Sequence, residues 1–315
     1  MGEAWGHLLS YFTNADEALH LAISFDGATF VPLNGGRPTL HGQAGTGTLR
    51  DPFIGFGSDG DFHLLATDGW SSTSIVHARS SDLVTWSEQT LVPVMAAVPG
   101  ALNAWAPEFF FDPVEGEFHI VWSSVVDTAG GNAPDWQNES QEQRIWGAVT
   151  QDFISFSPSA PFFDPGHSVI DATIRFAGDK FVMAYKDERG RNDPETDHKH
   201  ILVTTFDRPS GPFAPPAGPV TPATTEGPTL FRRGTHWVML YDFYLSNHYG
   251  AAISEDAVNW EQVMVDMPAG ARHASVLSLS ELVARRVDWG SLEFDVERAA
   301  DEGRARSDTG KHVEI

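Results

Sequence analysis

The sequence contains no cysteine. This absence excludes disulfide bonds, iron–sulfur clusters and thiolate-bound zinc, and it also excludes a thiol nucleophile. Any bound metal ion would need histidine or oxygen ligands. Basic residues are scarce, since 20 Lys and Arg stand against 43 Asp and Glu and give a formal charge of −23 at pH 7. Such a charge repels phosphate backbones and anionic lipid surfaces, so neither nucleic acid nor a membrane is an expected partner.

Long apolar runs are also missing. No run approaches the roughly 18 residues that a membrane span needs. The first residues, MGEAWGHLLSYF, lack the basic stretch, apolar region and cleavage site of a signal peptide, so a cytoplasmic protein is expected. The chain is not disordered, because 41% of its residues are hydrophobic and they include 21 Phe and 10 Trp, enough for a sizeable core.

A short motif recurs in five imperfect copies along the chain. Each copy has Ser or Thr two residues before Asp, and an aromatic residue follows four residues after the Asp in four copies and six after it in one. An aspartate of this kind closes a tight turn by accepting backbone N–H groups, while the aromatic side chain packs inward at the start of the next strand. The pattern therefore predicts five similar hairpins, in SFDGATF, SSDLVTW, TQDFISF, TFDRPSGPF and SEDAVNW.

Two short apolar runs precede four of these copies, and each pair of runs is split by a turn. The runs are rich in aromatic and β-branched residues and too short for helices, so each unit carries four strands. Repetition of such units predicts an all-β, five-bladed β-propeller with four-stranded antiparallel blades. One C-terminal strand and three N-terminal strands would complete the closing blade. We expect the propeller to span residues 1–286, with 287–315 forming a poorly packed, charged tail.

The innermost strands of a propeller surround its central axis, so residues at their starts meet at one end of the channel. These residues are four acids and one histidine, which we predict to occupy equivalent positions: Asp51, Glu108, Asp171, Glu226 and His273. Clustered carboxylates are costly to bury without a function. The connections predicted to surround the same end carry aromatic side chains, namely Trp70, Trp136 and Tyr244, and Trp105 lies nearby. Aromatic rings among carboxylates suit a neutral, polyhydroxylated ligand such as a sugar.

The chain resembles glycoside hydrolase family 43 in a set of ordered motifs between Trp5 and Leu279. These motifs are RDPFI with DFHLLAT, SSDLVTW, AWAPEFFFD, VIDATI with KFVMAYKD, TEGPTLF and RHASVL. The resemblance implies an inverting glycosidase that removes α-L-arabinofuranosyl or β-D-xylosyl residues from oligosaccharides. It further implies Asp51 as general base, Asp171 as the orienting carboxylate and Glu226 as general acid, with Arg272 touching the sugar. His273 would be the axial histidine, tied through water to a possible structural Ca²⁺, and no cofactor is needed for the chemistry.

Inversion requires an ionised carboxylate that activates water and a protonated acid that reaches the leaving oxygen. We therefore expect the charge of Asp171 to raise the pKa of Glu226. Glu108 has no catalytic role to inherit and is expected to make a structural or ligand hydrogen bond, while Trp105 could stack on a sugar or pack between blades. Two other functions stay open: a different furanosidase, of galactofuranosidase or fructosidase type, and a carbohydrate-binding propeller without turnover.

Overall fold

The computed structural model describes residues 4–127, 141–190 and 198–296. Five antiparallel sheets surround a central axis, and their innermost strands contact one another in a ring, which confirms the five-bladed β-propeller. No helix within these ranges is long and apolar enough to cross a membrane.

The blade that closes the ring joins the two ends of the chain. Its inner strand pairs with the first strand of the chain from Gly6↔Leu279 to Thr13↔Ala271, as the sequence predicted. From the axis outward its strands are β19 (Ala271–Leu279), β1 (Gly6–Thr13), β2 (His20–Ser24) and β3 (Val31–Pro32).

The other blades are meanders that run from the axis outward in chain order. The first blade contains β4 (Arg50–Phe56), β5 (Phe62–Thr67), β6 (Ile75–Ser80) and β7 (Thr90–Val92). The second contains β8 (Trp105–Asp112), β9 (Glu117–Val125), β10 (Gln143–Thr150) and β11 (Ala160–Phe163). The third contains β12 (Val169–Phe176), β13 (Phe181–Asp187) and β14 (Ile201–Phe206). The fourth contains β15 (Glu226–Arg233), β16 (His236–Phe243), β17 (His248–Ser254) and β18 (Glu261–Val263).

The third blade is the one whose outer strand departs from the prediction. Its fourth strand is reduced to a single bridge between Val203 and Ala217. The segment in that position reads GPFAPPAGP, and proline cannot donate a backbone hydrogen bond to a neighbouring strand. The blade therefore keeps its place in the ring but has a shorter outer edge.

The recurring aspartates close hairpins, as the motif predicted. The Asp26 Oδ1 atom accepts hydrogen bonds from the N–H groups of Ala28 and Thr29 at 2.9 and 2.8 Å, and from the Ser24 hydroxyl at 2.9 Å. The same three bonds recur at three further copies of the motif, around Asp82, Asp152 and Asp256. These acids are structural and lie outside the chemistry of the channel.

The core occupies the five seams between neighbouring blades. Each seam contains its own cluster of buried apolar side chains, contributed by the facing sheets. The largest fully buried side chains, which include Trp122, Tyr185 and Tyr241, lie in these seams. Because every blade packs against two others, the ring fixes the relative positions of its five inner strands.

The segment that follows the last strand packs against the seam between the closing blade and the first blade. A 3-10 turn (Asn34–Gly36) and a short helix, α1 (Glu281–Ala284), lie there. Val287, Trp289 and Leu292 are all at least nine-tenths buried in the same cluster. The prediction of a poorly packed tail from residue 287 is therefore wrong for residues 287–296, because apolar side chains spaced among the charges complete this seam.

Candidate active site

A β-bulge is repeated near the start of each inner strand. The pairing between the first and second strands of each blade skips at this point, and one residue there has a positive φ. Left-handed backbone is unfavourable for residues with a Cβ, and such strain concentrates at functional sites. The five positive-φ residues at these bulges are Asp51 (49°), Ala106 (48°), Asp171 (59°), Gly227 (54°) and His273 (36°).

This register corrects the prediction that the five axial residues are equivalent. Asp51, Asp171 and His273 do share one position, but Glu226 lies one residue before it and Glu108 two residues after it. A bulge displaces side chains relative to a regular strand, so alignment of the motifs by eye missed these offsets.

Polar residues at the ends of the second strands hold the bulges of the next blade. The Thr67 hydroxyl accepts a hydrogen bond from Ala106 N–H at 2.8 Å, and the Ser123 hydroxyl accepts one from Asp171 N–H at 3.0 Å. The equivalent positions in the third and fourth blades are Lys186 and Asp242. The inner-strand bulges are thus fixed across the seams as well as within each sheet.

An open cavity of about 380 Å³ lies at this end of the channel. Asp51, Asp171 and Glu226 all line it, together with Arg272 and His273. The Thr67 hydroxyl donates to Asp51 Oδ2 at 2.7 Å, and Asp51 Oδ1 lies 3.5 Å from His273 Nδ1. One Asp51 oxygen is therefore fixed by a neutral donor while the other faces the histidine ring.

Asp171 is the most deeply placed of the three acids. Its Oδ2 accepts a hydrogen bond from Gly227 N–H at 3.1 Å and lies 4.0 Å from His273 Nδ1. Burial, together with the negative charges of Glu226 and Asp51, raises the pKa of Asp171 to about 6. Gly227 allows this contact because a Cβ there would come within 3.0 Å of the His273 ring.

Glu226 lies between two cations. Its Oε2 is 3.0 Å from Lys186 Nζ, and its Oε1 is 3.4 Å from the Arg272 Nη2 atom. Burial favours the neutral acid, but Lys186, His273 and Arg272 outweigh it and lower the pKa of Glu226. The expected raised pKa of Glu226 is therefore not found in the structure, because the sequence reasoning did not foresee the buried lysine.

Arg272 is held by an acid that the sequence analysis missed. Its Nε donates to Asp242 Oδ2 at 2.6 Å, and Asp242 is completely buried. Burial and the charge of Glu226 raise the pKa of Asp242 to about 6, although Arg272 opposes this. The guanidinium is thus directed toward the cavity with its Nη2 near Glu226.

Aromatic and cationic side chains form one wall of the cavity. Trp70 is 54% exposed, and its carbonyl oxygen accepts a hydrogen bond from Trp105 Nε1 at 2.9 Å, while the two rings meet edge to face. The Arg50 guanidinium lies between the rings of Phe12 and Trp70, 4.6 and 4.7 Å from their centroids. Tyr244, on the opposite blade, places its ring 4.4 Å from Lys186 Nζ, and burial raises its pKa to about 12. Trp70, Trp105 and Tyr244 therefore all line the cavity as predicted, whereas Trp136 lies outside the described residues.

Comparison with known proteins identifies the family. A family-43-related model described as "Probable glycosyl hydrolase domain" matches residues 3–283. The chain belongs to the family-43-related glycosyl hydrolases.

Known proteins are similar to this chain in sequence or in fold. An α-L-arabinofuranosidase of Bifidobacterium longum subsp. longum is 29% identical over 182 residues, which is 51% of this chain and 17% of that protein. A thermostable family-43 glycoside hydrolase aligns at a TM-score of 0.57, with 20% identity over 71% of this chain and 78% of its own. An α-L-arabinofuranosidase from Lactobacillus brevis aligns at 0.54, with 17% identity over 74% of this chain and 80% of its own. These two solved structures support the fold, and the chain spans only a small part of the Bifidobacterium relative.

Glu108 lies apart from the cavity of this family-43-related protein. It is 8% exposed and does not line the cavity. Its Oε2 accepts hydrogen bonds from the Thr173 hydroxyl at 2.9 Å and from Arg175 Nη1 at 3.1 Å. Of the two roles left open for Glu108, these hydrogen bonds support the structural one.

The donor groups around His273 do not form a metal-binding set. Within the described ranges, no group of three or more His, Asp or Glu side chains has the geometry to hold a metal ion. Ca²⁺ prefers six to eight oxygen ligands, whereas Asp51 and Asp171 both face the His273 ring, and these acids raise its pKa against the effect of burial. Water-mediated Ca²⁺ at His273 stays a prediction, and no chemical step below depends on it.

Sequence reasoning missed four charged residues of the site, and each is placed there by strand register. Lys186 and Asp242 end second strands, and Arg50 begins an inner strand one residue before a bulge. Glu188 follows the third blade's second strand and contacts Lys186 at 2.8 Å. The signal that could have found Lys186 and Asp242 is the recurrence of a polar residue where an apolar second strand ends.

Proposed function

We propose that the protein is an inverting glycosidase that removes terminal pentosyl residues from oligosaccharides, with α-L-arabinofuranosyl as the first choice and β-D-xylosyl as the second. The observation that carries this proposal is the convergence of Asp51, Asp171, Glu226 and Arg272 in one open cavity of a family-43-related fold. The name of the Bifidobacterium relative favours the arabinofuranosyl substrate.

In the proposed reaction, Asp51 and Glu226 act on opposite sides of the anomeric carbon. The ionised Asp51 takes a proton from a water molecule as the water oxygen bonds to that carbon. The bond from the anomeric carbon to the leaving oxygen breaks, its electron pair passes to that oxygen, and protonated Glu226 supplies the proton. One water molecule is consumed, two hydroxyl groups are formed, and the configuration is inverted.

Asp171 has a supporting role in this scheme. Burial raises the pKa of Asp171 while the cations around Glu226 lower that of Glu226, so a proton shared by the two acids favours Asp171 before substrate binds. Glu226 must therefore gain its proton when substrate binds, because a sugar that excludes water disfavours the ionised form of a carboxyl group.

The remaining cavity wall suits a sugar. Trp70 presents an exposed ring for stacking on a sugar ring, and Arg272 offers donors to hydroxyl groups. The cavity opens to solvent, which is compatible with a terminal residue whose neighbour extends outward. A furanosidase of another type would use the same acids with different loop contacts, so it is the alternative within the same reaction class.

Hydrolysis of 4-nitrophenyl glycosides tests the proposal. We expect release from the α-L-arabinofuranoside and less or none from the β-D-xylopyranoside and β-D-galactofuranoside, with Asp51→Asn as the inactive control. Glu226→Gln is compared with wild type on an arabinose disaccharide, whose leaving oxygen needs the proton, and should be inactive there. Proton NMR of the first-formed sugar should show the inverted anomer. Retention would contradict Asp51 as general base, and equal turnover by either variant would contradict the assigned roles.

A non-catalytic carbohydrate-binding propeller is the second candidate. It predicts sugar binding without release of product from any substrate. Calorimetric titration of arabinose oligomers into Glu226→Gln measures binding without hydrolysis. If the oligomers bind and the wild-type protein hydrolyses none of them, the binding function is favoured over the glycosidase.

A further inference from the structure

The cation that contacts Glu226 most closely is almost completely buried at the cavity wall. Lys186 has a side chain that is 3% exposed, and its Nζ lies 3.0 Å from Glu226 Oε2. The Tyr244 ring covers it at 4.4 Å. A buried ammonium is costly unless it is paired, and here it is paired on two sides, since Glu188 Oε2 lies 2.8 Å away.

The strand register explains why a lysine reaches this acid. Lys186 occupies the position that holds Thr67 and Ser123 in the preceding blades, where short hydroxyl side chains bond the backbone of the next bulge. In the third blade a long side chain stands there and extends past the backbone to the carboxyl group of the next blade. At this recurring position the third blade has a lysine in place of a hydroxyl residue, and its ammonium group contacts the carboxyl group of Glu226.

The two oxygens of Glu226 are held unequally. Lys186 donates to Oε2 at 3.0 Å, while Arg272 reaches Oε1 only at 3.4 Å and has a stronger partner in Asp242 at 2.6 Å. A carboxylic acid that donates a proton carries it on one oxygen, and its other oxygen remains an acceptor. The ammonium has only donors to offer, so it favours the acceptor oxygen, and the proton is left for the other one.

Resting on the proposed role of Glu226 as general acid, we propose that Lys186 is its positioning residue and makes Glu226 deliver its proton from Oε1. Lys186 keeps Oε2 in place before and after protonation. The weaker contact with Arg272 is the one that breaks when Oε1 turns to the leaving oxygen. The proton then passes from Oε1 to the leaving oxygen, and Glu226 returns to the carboxylate that Lys186 and Arg272 both bind.

Lys186 also affects when Glu226 is protonated. Burial raises the pKa of Glu226, the cations around it lower it, and the net direction is downward. Removal of Lys186 takes away the largest lowering influence, so the pKa of Glu226 rises and the acid stays protonated to higher pH. The charged and titratable groups that interact with Glu226 from the packed elements are Asp171, Lys186, Lys199, Asp242, Tyr244, Tyr249, Arg272 and His273, and Glu188 acts through Lys186.

The pH profile of Lys186→Met tests this proposal. We expect the basic limb of kcat/KM to move to higher pH, and kcat on an arabinose disaccharide to fall by roughly tenfold to hundredfold because the acid is misplaced. The loss should be smaller on the 4-nitrophenyl glycoside, whose leaving group needs little protonation. The matched control is Lys180→Met, because Lys180 directly precedes the same strand, at the end away from the cavity, and the basic limb of this variant should stay in place. An unmoved limb in Lys186→Met, with equal losses on both substrates, would overturn the proposal.

A second variant shifts the same limb in the opposite direction. Glu188→Gln removes the competing carboxylate, so Lys186 acts on Glu226 alone and the basic limb should move to lower pH. Thermal melts show which variants fold, and Glu188→Gln keeps the proposal testable if Lys186→Met does not fold. A shift in the same direction as in Lys186→Met would contradict the role of Lys186.

A carbon-13 NMR titration separates this proposal from the proposed function. In protein labelled at the glutamate side-chain carboxyl, the Glu226 signal is the one that disappears in Glu226→Gln, and its midpoint should rise in Lys186→Met. If wild-type protein hydrolyses nothing but the midpoint rises, the contact stands and the glycosidase function fails. If the midpoint does not move, Lys186 does not control Glu226 and the proposal fails whatever the activity.

Discussion

Removal of the Glu108 charge should destabilise the fold without impairing the chemistry. The Glu108 side chain is 11% exposed and that of Arg175 is 22% exposed, and the two groups meet at 3.1 Å. In Glu108→Gln the guanidinium loses its anionic partner, and Thr173 loses its strongest acceptor. Breaking a buried pair on one side costs about 3 to 5 kcal/mol, and the partial exposure of Arg175 places this case near the lower limit.

The double variant Glu108→Gln, Arg175→Met tests whether the destabilisation comes from an unpaired charge. Its free energy of unfolding should fall by less than that of either single variant, because no unpaired charge remains in the channel. The coupling energy between the two residues should be about 2 kcal/mol. Urea unfolding followed by tryptophan fluorescence gives these free energies. The folded fraction of Glu108→Gln should keep the kcat of the wild type.

Two results would refute this reasoning. If Glu108→Gln unfolds within about 1 kcal/mol of wild type, the pair is not an enclosed one. If the variant is stable but inactive, Glu108 takes part in substrate binding, as the sequence first suggested. Burial raises the pKa of Glu108 although Arg175 opposes that rise, so the comparison is made above neutral pH, which favours the ionised acid.

Three further substitutions test the packing of Trp289 in the closing seam, the stacking of Trp70 on the sugar and the backbone bulge at Gly227. Trp289→Ala should lower the free energy of unfolding by about 3 to 5 kcal/mol, because the indole is buried against Trp5, whereas an unstructured tail would show no change in urea unfolding. Trp70→Ala should raise KM by roughly tenfold with kcat nearly unchanged, and a loss confined to kcat would contradict stacking. Gly227→Ala should lower the free energy of unfolding by about 1 to 2 kcal/mol, because its positive φ is unfavourable for alanine. Gly234→Ala should be destabilised by the same amount for the same reason, although a Cβ at Gly234 has no atom within 4 Å. Only Gly227→Ala should also lose activity, since its Cβ would contact His273, and equal activity of the two variants in the glycoside assay would count against that contact.

The fold was accessible from the sequence because its signals are local and repeated. The hairpin aspartates mark the repeated unit, because each accepts hydrogen bonds from backbone N–H groups within three residues. The structure shows these hydrogen bonds at four of the copies. The closing blade could be predicted because one C-terminal strand and three N-terminal strands remain after the four complete units. The outer strand of the third blade and residues 287–296 were predicted less well, because proline content and packing against a distant seam determine them.

The site was predicted in part, since the acids begin recognisable apolar strands. Asp51 and Asp171 lie near the starts of their inner strands, where they were expected, but the bulges there and the offsets of Glu108 and Glu226 depend on strand pairing that no short motif reveals. Glu108 resembled a site residue because the motif alignment ignored the bulge. Its true neighbours, Thr173 and Arg175, lie on the next blade.

The pKa of Glu226 could not be predicted from the acidic residues alone. Reasoning from Asp171 and Glu226 gives two like charges and therefore a raised pKa for Glu226, which is the reverse of what the structure shows. The decisive residue, Lys186, ends a run that reads FVMAYKD and is typical of a strand whose polar end reaches solvent. Only the ring of blades brings that end against the next inner strand, where the ammonium contacts Glu226. The balance between acid and base in this cavity is thus set between blades, and variants of Lys186 and Glu188 should change it in opposite directions.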